Sequence, residues 1–402
     1  MNRVVITGIG IVSSVGCVID EFWSALVEGR SGIRPIQAVA TERLTTSSAA
    51  QVLGYDANAQ FGHKQANSLD RFAQFAVSAA RDAVKDAGLK IDEELAPQVA
   101  TIVGSGAGGL NTLDDAYYRL YGENALTLHP LTIPRFMGNA APSHVSLDLG
   151  LKGPAYSVAS ACASGAHAIG LAFQMVRSGG VPVAVAGGTE ACLSVGTIKA
   201  WEALRILSND TCRPFSKTRT GLVLGEGAAI LVLEDRDRAV ARGASPYAEL
   251  RGFGMSSDAV DMLSPDRDGA VRAIRAALQD ARADLQDVDY VNAHGTGTTV
   301  NDRTEISVLR SVFGAHAERL AISSNKGVLA HSLGAAGALE AAATALTLRD
   351  QIAPPTANFE VPDPECDLDV IPNTARPMPI RAAISNSFAL GGLNAVLLFA
   401  RA

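Results

Sequence analysis

The chain has 402 residues, of which 48% are hydrophobic, and a formal net charge of -7 from 34 basic and 41 acidic residues. This hydrophobic content excludes a disordered chain, and the acidic balance excludes the basic footprint of a nucleic-acid-binding protein. The length is sufficient for two domains or for one duplicated unit.

The N-terminus and the cysteines predict a protein of the cytoplasm. Residues 1–8 run directly into a strand-like segment, without the apolar core and cleavage site of a signal peptide. No apolar run is long enough to span a bilayer. The five cysteines are widely spaced and form no Cys-x-x-Cys pair. We therefore expect reduced thiols, no zinc site and no disulfide framework.

The first half of the chain alternates strand and helix patterns. The predicted elements are strands over 3–11, 99–103, 181–186 and 228–234, helices over 20–28 and 70–87 with Asp20 as a candidate N-cap, and irregular segments over 35–66 and 111–140. A glycine run over 104–109 follows the second strand, but the Lys-Ser ending of a phosphate loop is missing. We interpret this run as a tight turn beside a buried site, and we expect no cofactor.

Cys162 occupies a predicted strand-to-helix turn in the segment Ala-Ser-Ala-Cys162-Ala-Ser-Gly. Residues 154–158 are strand-like, and an apolar helical pattern follows the cysteine until residues 178–180, Ser-Gly-Gly. The free N–H groups at a helix start favour a thiolate and an oxyanion, so we expect a lowered pKa for Cys162. The alternative is a buried structural cysteine.

The second half of the chain repeats patterns of the first half. Three pairs of segments match in the same order: 4–11 with 248–255, 162–165 with 331–334, and 225–233 with 391–399. Either abundant glycine and alanine produce these matches by chance, or one α/β unit is duplicated over residues 1–245 and 246–402. We favour duplication, with Cys162 and His331 at equivalent helix starts that face a shared centre.

Two histidines and a lysine follow the predicted strands of the second half. His294 lies in His-Gly-Thr-Gly-Thr after a strand over 288–292, and Lys326 and His331 follow a second strand end. A thiolate can accept an acyl group as a thioester, and neutral imidazoles can donate hydrogen bonds to a carbonyl that becomes an enolate. A cysteine protease would need one base and an orienting residue, so two histidines and a lysine exceed its requirements.

These motifs together resemble those of the β-ketoacyl-acyl-carrier-protein synthases. The cysteine segment, His294-Gly-Thr-Gly-Thr, the segment from Lys326 to His331 and the closing Asn-Ser-Phe388 turn are similar to the family's Cys-His-His set, and the likeness covers essentially the whole chain. It is strongest to the elongating type II ketosynthases. The family implies a thiolase-like α/β fold in five layers (α-β-α-β-α), a dimer, acyl carrier protein as the partner that brings acyl and malonyl groups, and no metal.

The resemblance also implies a role for individual residues. Cys162 would be the nucleophile, His294 and His331 would stabilise the enolate, and Lys326 would support His331 through a buried carboxylate. The other implied roles are Asp302 and Glu305 as candidates for that carboxylate, the N–H groups of Cys162 and Leu390 as the oxyanion hole, Thr296 and Thr298 as contacts of the pantetheine arm, Ala107, Trp201 and Phe388 as acyl-binding positions, and Lys64 and Arg205 as docking residues for the carrier protein.

The chain departs from the family pattern at several positions. Leu390 replaces an aromatic gate, Ala330 replaces the glycine before the second histidine, and Ala107 is small, which predicts a wider or longer tunnel. The basic cluster expected for docking is reduced to Lys64, which predicts weaker attraction of an acidic carrier protein.

These departures lead to the hypothesis of a specialised type II pathway that makes a polyene or another polyketide-like chain. The enzyme would act as a homodimer or with a second, different ketosynthase-like subunit. The alternatives are a housekeeping fatty-acid elongation synthase, a thiolase-like enzyme without decarboxylation, and a non-catalytic chain-length subunit. Residues 386–394 contain no second cysteine, which disfavours the thiolase, and the presence of Cys162 disfavours the non-catalytic subunit.

Overall fold

The computed structural model describes all 402 residues, with fourteen strands and thirteen α-helices. The strands are β1 Val4–Val12, β2 Ile33–Pro35, β3 Ser48–Ala50, β4 Val99–Gly104, β5 Ala155–Val158, β6 Val183–Glu190, β7 Gly227–Asp235, β8 Ala248–Ser257, β9 Val288–Asn292, β10 Ala321–Ser323, β11 Ile352–Ala353, β12 Arg376–Pro377, β13 Ala382–Ala389 and β14 Leu393–Ala400. The helices are α1 Ile19–Glu28, α2 Ala57–Ala66, α3 Arg71–Asp86, α4 Leu110–Tyr117, α5 Thr132–Phe136, α6 Ala140–Leu149, α7 Ser164–Arg177, α8 Val195–Ala203, α9 Arg236–Ala241, α10 Arg267–Ala281, α11 Thr299–Phe313, α12 Lys326–Leu329 and α13 Ala336–Asp350.

The predicted strands and long helices agree with these elements, whereas the segments predicted as irregular contain short helices. Residues 35–66 include α2, and residues 111–140 include α4 and α5. Helix α1 begins one residue before Asp20, and its N-cap residue is Val18. None of the helices combines the length and the apolar composition that a bilayer crossing requires.

The main sheet consists of two five-stranded halves with the same strand order. One half runs β5-β4-β6-β7-β1 and the other β10-β9-β13-β14-β8. In each half the three outer strands pair in parallel and the inner strands pair antiparallel. The halves meet where β1 pairs with β8 over three residue pairs. This pseudo-twofold order confirms the predicted duplication, while the division at residue 245 stays a prediction.

Helices cover both faces of each half and produce five layers. Helix α3 packs on β1 and β7, and α10 packs on β8 and β14. Helices α7 and α13 contact each other between the two halves of the sheet. The hydrophobic core accordingly divides into a large central cluster around α7 and α13 and two outer clusters beneath α3 and beneath α10 and α11. The predicted thiolase-like α-β-α-β-α architecture is confirmed.

The structure corrects the register of one predicted match. Ala161 and Leu333 have nearly equal positive φ angles, 47° and 48°, and each begins the short 3-10 turn that precedes a central helix. A Cβ on Gly165 would lie 2.9 Å from the nitrogen of Ala338, and a Cβ on Gly337 would lie 2.9 Å from that of Ala166. The equivalent of Gly165 is therefore Gly337.

The predicted equivalence of Cys162 and His331 is therefore wrong. Counting from the paired positions Ala161 and Leu333, Cys162 corresponds to Gly334, and His331 precedes the equivalent turn. The physical reason is that runs of alanine, serine and glycine match each other in several registers. Sequence similarity within such runs cannot identify the register that packing selects.

Glycines allow each outer helix to lie directly on its strand. A Cβ at Gly10 of β1 would stand 1.8 Å from the carbonyl oxygen of Ala79 in α3. A Cβ at Gly254 of β8 would stand 2.0 Å from the carbonyl oxygen of Ala273 in α10. Both contacts are with helix backbone, which cannot move without shifting the whole helix.

We expect Gly10→Ala to destabilise the fold, because the new methyl group would push α3 away from β1. The expected loss in free energy of unfolding is about 3 kcal/mol or more, as for severe overpacking. Denaturant titration followed by circular dichroism measures it. Gly138→Ala is the matched control, because a Cβ there meets no atom within 4 Å and the expected change is within about 0.5 kcal/mol. Equal stability of the two variants would contradict the packing argument.

Candidate active site

Cys162 lies in the 3-10 turn that connects β5 to α7. The preceding residue, Ala161, has a φ of 47°, so the chain turns sharply just before the thiol. Cys162 is 4% exposed. The backbone N–H groups of Leu390 and of Cys162 itself lie close enough to the sulfur to stabilise a negative charge on it.

The predicted lowering of the Cys162 pKa is wrong for the free protein. Burial raises the pKa of the thiol to about 11, and it outweighs the N–H group of Leu390, the charge of Lys326 and the N–H group of Cys162, which act in the opposite direction. Desolvation disfavours the charged form of a buried thiol. The helix start was visible in the sequence, but the depth of burial was not.

His331 is held by the turn that follows it. Its Nδ1 accepts a hydrogen bond from the N–H of Leu333 at 3.3 Å. A ring nitrogen that accepts carries no proton, so the proton of the neutral ring is on Nε2. Ala330, just before it, has φ 56° and ψ -165°, a conformation that suits glycine. Ala330, which replaces the family's glycine, is therefore strained at this position.

His294 follows β9 and is fixed in the same tautomer by Lys326. The ammonium nitrogen of Lys326 lies 3.4 Å from Nδ1 of His294 and 2.6 Å from its carbonyl oxygen. An ammonium group can only donate, so Nδ1 accepts and Nε2 carries the proton. The rings of His294 and His331 are 5.4 Å apart and nearly perpendicular.

Both histidines are neutral at physiological pH. Burial, with the charge of Lys326 as the next cause, holds the pKa of His294 and that of His331 well below the usual value. Two neutral rings with protonated Nε2 atoms can donate hydrogen bonds to one developing negative oxygen without first losing or gaining a proton.

The carboxylate that pairs with Lys326 is Glu340, which corrects the predicted candidates. Nζ of Lys326 forms a buried ion pair with Glu340 of α13. Burial raises the pKa of Glu340 to about 7, and the charge of Lys326 opposes this rise. The pair lies behind His294, because Lys326 also contacts that residue.

Asp302 and Glu305 support the His294 loop and do not contact Lys326. Glu305 accepts hydrogen bonds from the N–H of His294 at 2.9 Å and from that of Gly295 at 2.8 Å. Asp302 accepts from the N–H of Gly297 at 3.2 Å. Both carboxylates come from α11, so this helix fixes the loop from its buried side.

Cys162, His294 and His331 line one cavity of about 320 Å³. Of the other predicted residues, Thr296, Thr298, Trp201, Phe388, Leu390 and Arg205 also line it. Ala107 and Lys64 do not. Ala107 is half-buried and donates its N–H to Glu190, and Lys64 is exposed on α2. The tunnel role of Ala107 and the docking role of Lys64 therefore have no support in this cavity.

The mouth of the cavity has a wall that the sequence did not predict. Residues 262–265 line it, and Met262 is 71% exposed. The N–H of Gly391 donates to the carbonyl oxygen of Met262 at 2.8 Å, which ties this wall to the turn that carries Leu390. The signal in the sequence for this wall was an apolar residue, Met262, within a polar loop.

Glu340 and Glu190 were also missed. Each is a buried carboxylate, at 2% and 0% exposure. Glu340 stands alone among alanines in α13, and Glu190 ends an apolar strand. A lone charge in an apolar run is the signal that could have found both residues, because such a charge requires a buried partner. No group of His, Cys, Asp or Glu side chains is arranged to hold a metal ion.

The fold and the cavity define the class of thiolase-like, acyl-condensing enzymes. The family models for the N-terminal and C-terminal domains of β-ketoacyl synthase match residues 1–239 and 247–360. The chain is 46% identical to nodulation protein E of Rhizobium sp. (strain N33), over 99% of each chain. It is 41% identical to 3-oxoacyl-[acyl-carrier-protein] synthase 2 of Staphylococcus aureus (strain COL), over 99% of this chain and 98% of the relative.

Solved structures agree with these relatives. The structure resembles the ishigamide ketosynthase/chain length factor with a TM-score of 0.96 and 36% identity, over 100% of this chain and 99% of the other. It also resembles a type II polyketide synthase ketosynthase, bound to a hexaketide and in complex with its acyl carrier protein, with a TM-score of 0.90 and 31% identity over all of both chains. The chain therefore belongs to the β-ketoacyl synthase family, and it is a chain-elongating β-ketoacyl-acyl-carrier-protein synthase.

We expect alkylation of Cys162 by iodoacetamide to accelerate steadily with pH, because only the thiolate reacts and the pKa of the free protein is about 11. The rate should rise about tenfold per pH unit between pH 6 and pH 9. Mass spectrometry of the Cys162 peptide measures the rate. A plateau below pH 8 would show that the N–H groups and Lys326 outweigh burial.

Proposed function

We propose that the chain catalyses the decarboxylative condensation of an acyl group on Cys162 with malonyl-acyl-carrier protein, which yields a β-ketoacyl-acyl-carrier protein. One observation carries this proposal. The thiol and two neutral imidazoles, each with its Nε2–H free of a partner within the protein, line the same cavity.

The first step loads the nucleophile. The sulfur of Cys162 attacks the thioester carbonyl of the acyl-carrier protein, and the N–H groups of Cys162 and Leu390 stabilise the oxyanion. The thiol proton leaves with the departing pantetheine sulfur. Because the thiol is neutral before substrate arrives, it can wait in the buried cavity without the cost of a buried charge.

The second step forms the carbon–carbon bond. The malonyl thioester loses carbon dioxide, and its electron pair becomes an enolate whose oxygen accepts hydrogen bonds from Nε2 of His294 and of His331. The enolate carbon then attacks the acyl carbonyl on Cys162, and the thiolate of Cys162 leaves and takes up a proton. Loss of one such donor typically lowers a rate about 10² to 10³-fold.

Acyl carrier protein is the proposed partner at the mouth of the cavity. The exposed Arg205 lines the cavity together with Thr296 and Thr298, which supports an acidic carrier that inserts a polar pantetheine arm. The similar polyketide ketosynthase was solved with such a carrier bound. The five free cysteines suit a reducing compartment, so we place the reaction in the cytoplasm.

A second ketosynthase-like chain, identical or different, is the proposed subunit partner. Strand β5 ends the sheet, and Tyr156 on it is 38% exposed. Tyr118, Tyr121 and Ile133, in residues 111–140, are 60–75% exposed. Exposed apolar side chains of this number mark an interaction surface. The ishigamide ketosynthase is described together with a chain length factor.

We further propose a specialised substrate, a polyene or polyketide-like chain. Leu390 is half-buried and lines the cavity, at the position where the family has an aromatic gate. A leucine leaves more room than a phenyl ring, which favours a rigid, extended chain. The second candidate is housekeeping elongation of saturated chains, which the similarity to 3-oxoacyl-[acyl-carrier-protein] synthase 2 favours.

We expect variants of Cys162 and His331 to separate the half-reactions. Cys162→Ala should form no acyl adduct with acyl-carrier protein, whereas His331→Ala should acylate normally and decarboxylate malonyl-carrier protein about 10² to 10³-fold more slowly. Intact-protein mass spectrometry measures the adduct, and carbon dioxide release measures decarboxylation. Cys366→Ala is the matched control, because Cys366 is also buried but lies outside the cavity. An adduct in Cys162→Ala would refute the assignment.

We expect primer preference to distinguish the pathways. For primers of equal length, kcat/KM should be about tenfold higher for a conjugated polyunsaturated acyl-carrier protein than for the saturated one, a difference that pocket shape can produce. Leu390→Phe should reduce this preference by narrowing the mouth. Equal kcat/KM values, unchanged in Leu390→Phe, would support housekeeping elongation.

A further inference from the structure

Glu190 is a fully buried carboxylate that receives only uncharged donors. Its Oε2 accepts from the N–H of Gly106 at 2.7 Å and of Gly334 at 3.0 Å. Its Oε1 accepts from the hydroxyl of Ser105 at 3.0 Å and the N–H of Ala107 at 3.3 Å. Burial raises its pKa to about 7 against the effect of these donors. Burying a carboxylate without a cation is costly, so its position has to serve a purpose.

The carboxylate lies where two loops nearly touch. A Cβ at Gly334 would stand 2.3 Å from the nitrogen of Gly106 and 2.6 Å from Oε2 of Glu190. One loop is the glycine run over 104–109, and the other is the turn Leu333–Ala335. Gly334 has no room for a Cβ. The carboxylate accepts a hydrogen bond from each loop and so links the two backbones.

The second of these loops determines the state of His331. Leu333 has a φ of 48°, a conformation that costs a non-glycine residue about 1–2 kcal/mol and needs support from its surroundings. The N–H of Leu333 donates to Nδ1 of His331, and the adjacent N–H of Gly334 donates to Glu190. A turn that moved would release the hydrogen bond that keeps the proton of His331 on Nε2.

We propose that Glu190 is a positioning residue for His331, because it fixes the Leu333–Ala335 turn against the glycine run and so keeps Nε2–H of His331 directed into the cavity. This inference rests on the proposed function, in which that N–H stabilises the enolate. It gives the glycine run a role in catalysis without binding any phosphate.

Glu190→Gln tests the inference, because the amide group replaces one acceptor oxygen with a donor that faces two N–H or O–H groups. We expect kcat for malonyl decarboxylation to fall about 10 to 100-fold. This decrease is no larger than the one expected when the N–H donor of His331 is removed completely. The KM for malonyl-carrier protein should stay within about twofold, since Glu190 does not line the cavity. Acylation of Cys162 should not slow, because the negative charge of Glu190 raises the pKa of the thiol and its removal favours the thiolate.

Glu234→Gln is the matched control. Glu234 is equally buried in the same sheet, but it pairs with Arg242 and Thr7, away from the cavity. This variant should lose stability without changing the ratio of decarboxylation to acylation. If Glu190→Gln does not fold, Ser105→Ala removes one of the four donors, and decarboxylation should fall about twofold to fivefold with acylation unchanged.

Three outcomes decide whether Glu190 positions His331. A selective loss of decarboxylation supports the inference. Unchanged decarboxylation in folded Glu190→Gln overturns the inference. If Glu190→Gln does not fold, unchanged decarboxylation in Ser105→Ala overturns it. Equal loss of both half-reactions also overturns it, because Glu190 would then serve only the general fold. If the wild-type chain itself neither acylates nor decarboxylates, the proposed function fails instead, independently of Glu190.

Discussion

The active site depends on the close approach of the two central helices. Gly165 and Gly337 let α7 and α13 pack backbone against side-chain methyl groups, with no room for a Cβ on either glycine. This contact brings the turn before each helix to the same centre. One turn carries Cys162, and the segment before the other carries His331. The second half of the sheet then delivers His294 and Leu390 to that centre from the ends of the neighbouring strands β9 and β13.

Burial sets the chemistry of this centre. It raises the pKa of Cys162 and lowers those of both histidines, so all three groups are neutral before substrate binds. The buried cation next to the histidines, Lys326, faces Glu340 and the back of His294, where it fixes a tautomer. Negative charge therefore develops only on the bound substrate, where N–H donors that are already oriented stabilise it.

The sequence predicted the α/β duplication and the meeting of Cys162, His294 and His331 in one pocket, because strand ends, helix patterns and ordered motifs are local signals. The five layers were implied by the resemblance to the β-ketoacyl synthases. It predicted neither the register of the central helices nor the sign of the Cys162 pKa shift. Alanine-rich runs fit several registers, and depth of burial comes from contacts distant in sequence. The resemblance led to Asp302 and Glu305 as candidate partners of Lys326, whereas Glu340 reaches it from another helix.

The pseudo-twofold arrangement has a consequence for an enzyme whose polypeptide is cleaved between the two repeats. The nucleophile comes from one repeat and both imidazoles from the other, and β1 and β8 join the repeats through only three residue pairs. Cleaving the polypeptide in the connection between α9 and β8 would therefore leave two fragments, neither holding a complete catalytic set. Any turnover would require the two fragments to reassemble through the contact between α7 and α13 that brings their halves of the site together.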